Sequence, residues 1–206
     1  DKHWSRGLGD VYKRQEYLDV WFYLNAYADN VTVKDNEFTG SSAPGYNVYT
    51  QDRTTIGLVI DDNTFSNGQE PIYMRGGLDW EITDNTIYGD GDASHIGIAT
   101  RNGYGIIDGN TLIDADGGIL VDQITANQVV NITNNDISQS AGRTAPSAVG
   151  IWAEDCASSI INTGGNSISV MENALVTDGC DINDSGSTMT LSLIHISEPT
   201  RQVLIS

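Results

Sequence analysis

One spacing recurs along the chain: an apolar residue, two variable residues, an asparagine, one variable residue, another apolar residue. It occurs as VKDNEF (Val33, Asn36, Phe38), IDDNTF (Ile60, Asn63, Phe65), ITDNTI (Ile82, Asn85, Ile87), IDGNTL (Ile107, Asn110, Leu112) and ITNNDI (Ile132, Asn135, Ile137). A looser copy, INTGGNSI, carries Asn166 and Ile168, and a degraded one lies near Ile182. Successive asparagines are 27, 22, 25, 25 and 31 residues apart. Between them lies a second pattern: NVYTQ, PIYMR, GIATR, GILVD, GIWAE and NALVT. Alternation over such short stretches is the period of a strand, and the Gly, Asn and Asp clusters between them are turn signals. The chain therefore reads as repeats of two or three short strands, with few stretches of helical period.

A unit this small cannot bury its apolar face alone. Stacking units at the strand spacing of about 4.8 Å buries a continuous core, and extra residues bulge out at turns without breaking the stack. The uneven spacing is then explained. Asparagine suits the corner of each coil, because it tolerates the left-handed conformation and carries both donors and an acceptor. Asn36, Asn63, Asn85, Asn110, Asn135 and Asn166 are expected to form a buried ladder. In these combined G-I-x-V and I-x-x-N-x-I patterns, residues 20 to 190 resemble the right-handed parallel β-helix proteins, the pectate-lyase-like solenoids. The resemblance implies an all-β fold of about seven coils. A propeller or sandwich would need hairpin turns at fixed spacing, and a leucine-rich repeat would carry Leu in place of Ile, Val and Gly.

The two ends do not share this pattern. LSLIHISEPTR (Leu191 to Arg201), back-translated and read on the opposite strand, encodes SRGLGDVYKRQ (Ser5 to Gln15). Such DNA resembles a transposase sequencing adapter. Residues 1–15 and 191–206 are therefore expected to be translated adapter and its flanks, and 16–190 an internal piece of a longer chain. Between Glu16 and Thr190 there are 25 acidic and 5 basic residues. That balance argues against nucleic acid, whose phosphates need Lys and Arg clusters, and fits a calcium-rich or salty exterior. No apolar run reaches the ~20 residues of a membrane span.

Register across the coils predicts which residues share a face. Val48, Ile72, Ile98, Ile119, Ile151 and Ala174 should point inward. So should Thr50, Met74, Thr100, Val121, Ala153 and Val176. One outward column should read Tyr23, Tyr49, Tyr73, Ala99, Leu120, Trp152, Leu175. The next should read Asn25, Gln51, Arg75, Arg101, Asp122, Glu154, Thr177. Aromatic faces stack on sugar rings and arginine forks carboxylates, so an acidic polysaccharide is the expected partner. Tyr49, Tyr73, Trp152 and Gln51 are its candidate binding residues. Stacking of like on like, with Arg101 neutralising Asp122, is the plain structural alternative. In the resembled family this face carries the substrate groove. Lyases there use an Arg or Lys base beside a uronate, often with calcium. The resemblance thus implies Arg75 or Arg101 as base, with Asp122 and Glu154 as catalytic or calcium-holding carboxylates. No full lyase signature is present, and the Asn-Thr-Asp, Asp-Asp and Gly-His-Gly motifs of polygalacturonases are absent.

His95, in YGDGDASHIGI beside Asp90 and Asp92, loosely resembles the Tyr…Asp-x-His loop of β-helix uronan epimerases, one residue out of register and without its proline. A turn residue is the alternative. GDGDAS also reads as a weak calcium turn. Cys156 and Cys180, one coil apart, are close enough for a disulfide or for two stacked thiols. A disulfide would argue for an extracellular, cell-surface or periplasmic protein. The Asn-x-Thr/Ser triplets at Asn30, Asn131 and Asn183 are expected by chance in so Asn-rich a chain. Two non-catalytic rivals remain: a surface or adhesin-type solenoid, and a β-helix of the kind that assists copper-enzyme maturation. The second would want Met, His or Cys in the groove.

Overall fold

The computed structural model describes residues 22–24, 29–40, 45–51, 55–89, 95–124, 126–140, 148–156, 158–170 and 172–191. Residues 1–15 and 192–206, Asn25, Asp90 and Asp92 lie outside them. The described strands stack in parallel on three faces. The first face is built by β1 (Phe22–Leu24), β4 (Tyr46–Thr50), β7 (Glu70–Thr83), β9 (Ile96–Asp108), β11 (Gly117–Asp122), β14 (Val149–Glu154) and β17 (Asn173–Asp178). The second is built by β2 (Thr32–Lys34), β5 (Val59–Asp61), the later halves of β7 and β9, β12 (Val129–Thr133), β15 (Ile160–Gly164) and β18 (Asp181–Ser185). The third is built by β3 (Glu37–Thr39), β6 (Thr64–Ser66), β8 (Thr86–Tyr88), β10 (Thr111–Ile113), β13 (Asp136–Ser138), β16 (Ser167–Val170) and β19 (Thr188–Leu191). Five of the seven strands on the third face are flanked on both sides, so the stack makes about five full turns against an expectation of about seven.

The core is a set of columns running up the inside. Ile60, Ile82, Ile107 and Ile132 form one; Phe65, Ile87, Leu112, Ile137 and Ile168 form another; Ile72, Ile98, Ile119 and Ile151 form a third. Burying each such side chain contributes roughly 1.5–3 kcal/mol, so the repeat of apolar positions accounts for most of the driving force. Trp80 is the largest side chain in the core, and it dictates the next coil. A Cβ at Gly105 would lie 2.0 Å from the Trp80 carbonyl oxygen, and one at Gly103 would lie 3.0 Å from its indole nitrogen. The glycines of NGYG leave room for the neighbouring coil, Gly103 for the Gly77 carbonyl as well as the indole nitrogen, and Gly105 for the Trp80 backbone and ring.

The asparagines form the expected ladder, with one correction. The left-handed residue is the one before each asparagine: Asp35, Asp62, Asp84, Gly109, Asn134 and Gly165, all with φ between 53° and 68°. The ladder asparagine itself works through its side chain. Asn85 Oδ1 accepts from the Asn63 backbone N–H and from Asn63 Nδ2, both at 3.0 Å. Asn85 Nδ2 donates to Ile60 O and to Thr83 O at 2.8 Å, and on to Asn110 Oδ1 at 3.0 Å. Asn110 and Asn135 repeat the set. Each buried amide is thus satisfied within the stack, as a buried polar group must be. In the last described coil Ser187 takes the place, receiving a bond from Asn166 Nδ2 at 3.4 Å.

Candidate functional site: the outer side of the first face

Most of the first-face register is as the sequence implied. Tyr49 pairs with Tyr73 and Tyr73 with Ala99, Ala99 with Leu120 and Leu120 with Trp152. Arg75 pairs with Arg101, Arg101 with Asp122, and Asp122 with Glu154. A left-handed residue follows the charged column in each coil: Gly76, Asn102, Gln123, Asp155 and Gly179. There the chain turns into the second face, which leaves the column at the rim.

The last coil is corrected by one residue. Ile151 pairs with Leu175, Trp152 with Val176, Ala153 with Thr177 and Glu154 with Asp178. Ala174 is buried in the core as expected, but at the Gly150 row rather than under Ile151; Val176 does not continue the inward column, and Leu175 and Thr177 do not continue the outward ones. The charged column ends on a third acid, Asp178. Ala99 is also not exposed: at 1 % it is covered by its surroundings.

The tyrosines make a wall. Tyr49 and Tyr73 stack with ring centroids 5.5 Å apart, and Tyr46 joins them at 4.8 and 5.0 Å. Sequence reasoning missed Tyr46 and its paired neighbour Glu70. Strict alternation back from Val48 would turn Tyr46 inward. The strands instead bend at one row, where two successive residues face the core: Asn47 and Val48, Gly97 and Ile98, Gly118 and Ile119, Gly150 and Ile151. A Cβ at Gly97, Gly118 or Gly150 would lie 2.4–2.8 Å from the Leu112, Ile137 or Ile168 side chain of the third face. The repeated glycine was the signal of this bend. Beyond it, Tyr46 and Glu70 come to the same side as Tyr49 and Tyr73.

Charge is arranged unevenly across this surface. Arg101 donates from Nε to Asp122 Oδ2 at 2.5 Å, and Asp122 is only 2 % exposed. Burial works against the Arg101 charge, but Tyr73 and Asp122 outweigh it and its pKa is raised. A base needs the opposite shift. Glu70 is pushed up by burial, opposed by a hydrogen bond from Tyr46 and by the charges of Arg101 and His95. Glu154 is pushed up by burial and by the negative charges of Asp122 and Asp155. His95 is buried at 7 %, and its carbonyl accepts from Gly117 N at 2.8 Å.

The residues do not fit a calcium cage. Asp122 is already committed to Arg101, and among the described residues no three His, Cys, Asp or Glu side chains converge on a metal position. Cys156 and Cys180 are bonded as a disulfide, with Cα atoms 4.9 Å apart. It staples β14 to β17 just beyond the acidic end of the column. No described helix is long and apolar enough to cross a membrane.

A stack of parallel strands on three faces, with an internal asparagine ladder, defines a β-solenoid. The family model described as the right handed beta helix region matches residues 23–193, and the chain belongs to that family. Membership supports a pectate-lyase-like or a structural solenoid in general terms. No curated protein and no solved structure matches the chain.

Proposed function

We propose that this is an exported protein whose first face binds, and on some substrates processes, an acidic polysaccharide. The observation that carries the reading is the placement of Arg75 and Arg101 in adjacent coils beside the Tyr46, Tyr49 and Tyr73 wall. In a chain with a formal net charge of -18, two guanidiniums in adjacent coils beside an aromatic wall are a local departure that supports recognition of an anion, with Arg101 already oriented by Asp122. A uronate ring has a flat apolar side for the tyrosines and a carboxylate for the guanidinium forks. Gln51 and Trp152 extend the surface on either side. The disulfide supports an oxidising compartment, hence export.

Arg101 serves this reading as a carboxylate ligand, since its charge is held in place by Asp122. Any proton abstraction would fall to Arg75, with Asp122 and Glu154 as the carboxylates two and three coils further along its column. The stacking of the tyrosines on one another favours the second reading, a structural solenoid that uses aromatics as mortar.

The test is direct binding of polyuronates by titration calorimetry, alongside ultraviolet detection of unsaturated uronate products. Arg75→Ala should weaken binding at least tenfold, the loss of one charge-assisted contact. Arg101→Ala would leave Asp122 buried and unpaired, so the Arg101→Ala/Asp122→Ala double variant keeps the fold and isolates the role. Binding without product means a binding module. No binding of any polyuronate returns the protein to the structural reading.

A further inference from the structure

We propose that the outer side of the third face is an ice-binding surface, on which columns of threonine and serine hydroxyls meet the ordered water of a crystal plane. No residue of the first face takes part.

The third face is built from strands of three or four residues. Their core position supplies the column Phe65, Ile87, Leu112, Ile137 and Ile168, so the residues on either side of it turn outward. On one side the register runs Thr64, Thr86, Thr111, Asp136, Ser167, Thr188. On the other, Ser138, Ser169 and Thr190 follow one another, and Tyr88 and Ile113 lie beside Thr86 and Thr111. Ten of the fourteen outward positions in these registers are Ser or Thr, and only Glu37 and Asp136 are charged. The second face turns out Lys34, Asp61, Asp79, Glu81, Asp108 and Asp181 from the same stack. Charge is therefore kept off one face of a strongly acidic chain.

Two further features fit a lattice. The seven strands pair from β3 to β19 without a shift of register, whereas the longer strands β7 and β9 slip between Leu78 and Trp80. The hydroxyls are also unspent. Among the described residues, those of Thr64, Thr86, Thr111, Ser167 and Thr188 bond to no protein group, and Ser66 makes one long bond, 3.4 Å to Phe38 O.

The spacing points to frozen water. Oxygens in an O–H···O bond lie about 2.75 Å apart, so two waters held tetrahedrally by a third are about 4.5 Å apart. Neighbouring coils place their hydroxyls about 4.8 Å apart. Along its hexagonal axis such a network repeats at eight-thirds of the oxygen separation, about 7.3 Å. Residues i and i+2 of a strand lie about 6.7 Å apart. Both mismatches are within about a tenth, and a hydroxyl that rotates to suit its partner absorbs them. Threonine adds a methyl that cages water beside the oxygen it anchors, and Ile113 extends that apolar relief. A charged side chain would hold its own hydration shell and counterion, neither of which a crystal accommodates. Each contact is weak, but a rigid array engages many at once.

The experiment uses the full chain in a film of fine ice grains in sucrose solution, with grain growth followed by microscopy and crystal habit by nanolitre osmometry. The wild type should arrest growth and facet crystals where an inert protein at equal concentration does neither. Thr86→Lys with Thr111→Lys puts two bulky charges in the middle of the array without touching the core, and should require about tenfold more protein for the same arrest. Thr32→Lys on the second face should change nothing. Urea midpoints check that all variants are folded. If the wild type leaves grain growth at the inert-protein rate, the proposal is overturned. It is overturned equally if the folded Thr86→Lys/Thr111→Lys variant arrests growth as well as the wild type, or if Thr32→Lys loses as much.

Discussion

Asn63, Asn85, Asn110 and Asn135 occupy one corner of the solenoid, and Arg75, Arg101, Asp122 and Glu154 occupy another, one residue per coil in each case. Inside, the residue is asparagine from Asn36 to Asn166, giving way to Ser187 only in the last described coil, and Asn63 to Asn135 make the same bonds to the coil on either side. Outside, the column passes from cation to acid within three coils. The contrast follows from the cost of error. A buried amide that loses its partner leaves donors and acceptors dry, whereas water reaches the rim residues other than Asp122, which at 2 % exposed relies on Arg101 instead. Invariance in a solenoid therefore reports burial, and departure from the repeat is where a surface has been free to acquire chemistry.

The largest expected effect breaks the ladder at its middle. Asn110→Ala removes the acceptor for Asn85 N and Asn85 Nδ2 and the donor to Ile82 O, all in the buried stack. With each orphaned group costing about 1–3 kcal/mol, the loss should be about 3–5 kcal/mol. Urea unfolding measures it. A loss under about 1 kcal/mol would mean that water enters the corner and that the ladder is no more constrained than the rim.

A smaller effect sharpens the comparison at the acidic end of the column. There Glu154, Asp155 and Asp178 crowd together, and Ala174 is the only fully buried apolar residue of β17. The Cys156–Cys180 bridge spans 24 residues, a closed loop for which the chain-entropy account gives about 3 kcal/mol. Cys156→Ser with Cys180→Ser should shed that amount, and hydrogen exchange should show it confined to β14, β17 and β18. Uniform loss of protection through β7 and β9 would show instead that the stack opens as one unit.

The same contrast explains what could be read from the sequence. The ladder and the core columns were legible because burial forces repetition, and repetition is visible in one sequence. The left-handed corner was placed one residue late because Asp, Gly and Asn share that conformation, which hides the column among varied letters. The last coil was misaligned by matching NALVT to GIWAE from their first letters. The cysteine separation of 24 carries the true offset, the same as from Ile151 to Leu175. Tyr46 and Glu70 were missed because period-2 reasoning cannot see a bend in which Asn47 and Val48 both face the core. At the site, Arg75, Arg101, Tyr49 and Tyr73 were found by register alone, but the burial of Asp122 under Arg101 depends on side-chain packing that no spacing reports.

The smallest effect concerns pH, and it separates Glu70 from the ordinary rim. The groups facing it are Tyr46 from β4, Tyr73 in its own strand, and His95 and Arg101 from β9 and the residue before it. Burial raises its pKa, so the folded chain holds this proton more tightly than the unfolded chain does. The resulting stability is complete below the usual glutamate range and is lost as pH rises through the raised value. Glu154 acts with the same sign, through burial and its acidic neighbours. Asp61, lowered by its hydrogen bond from Lys34, acts with the opposite sign and loses its contribution as pH falls. Urea midpoints for the wild type should therefore decline modestly from mildly acidic to neutral pH. Glu70→Gln should flatten part of that decline, and Glu70→Gln with Glu154→Gln most of it. An unchanged slope in the double variant would place both carboxyls in water like any other rim acid. The outer column would then carry no buried chemistry at Glu70 for a ligand to use.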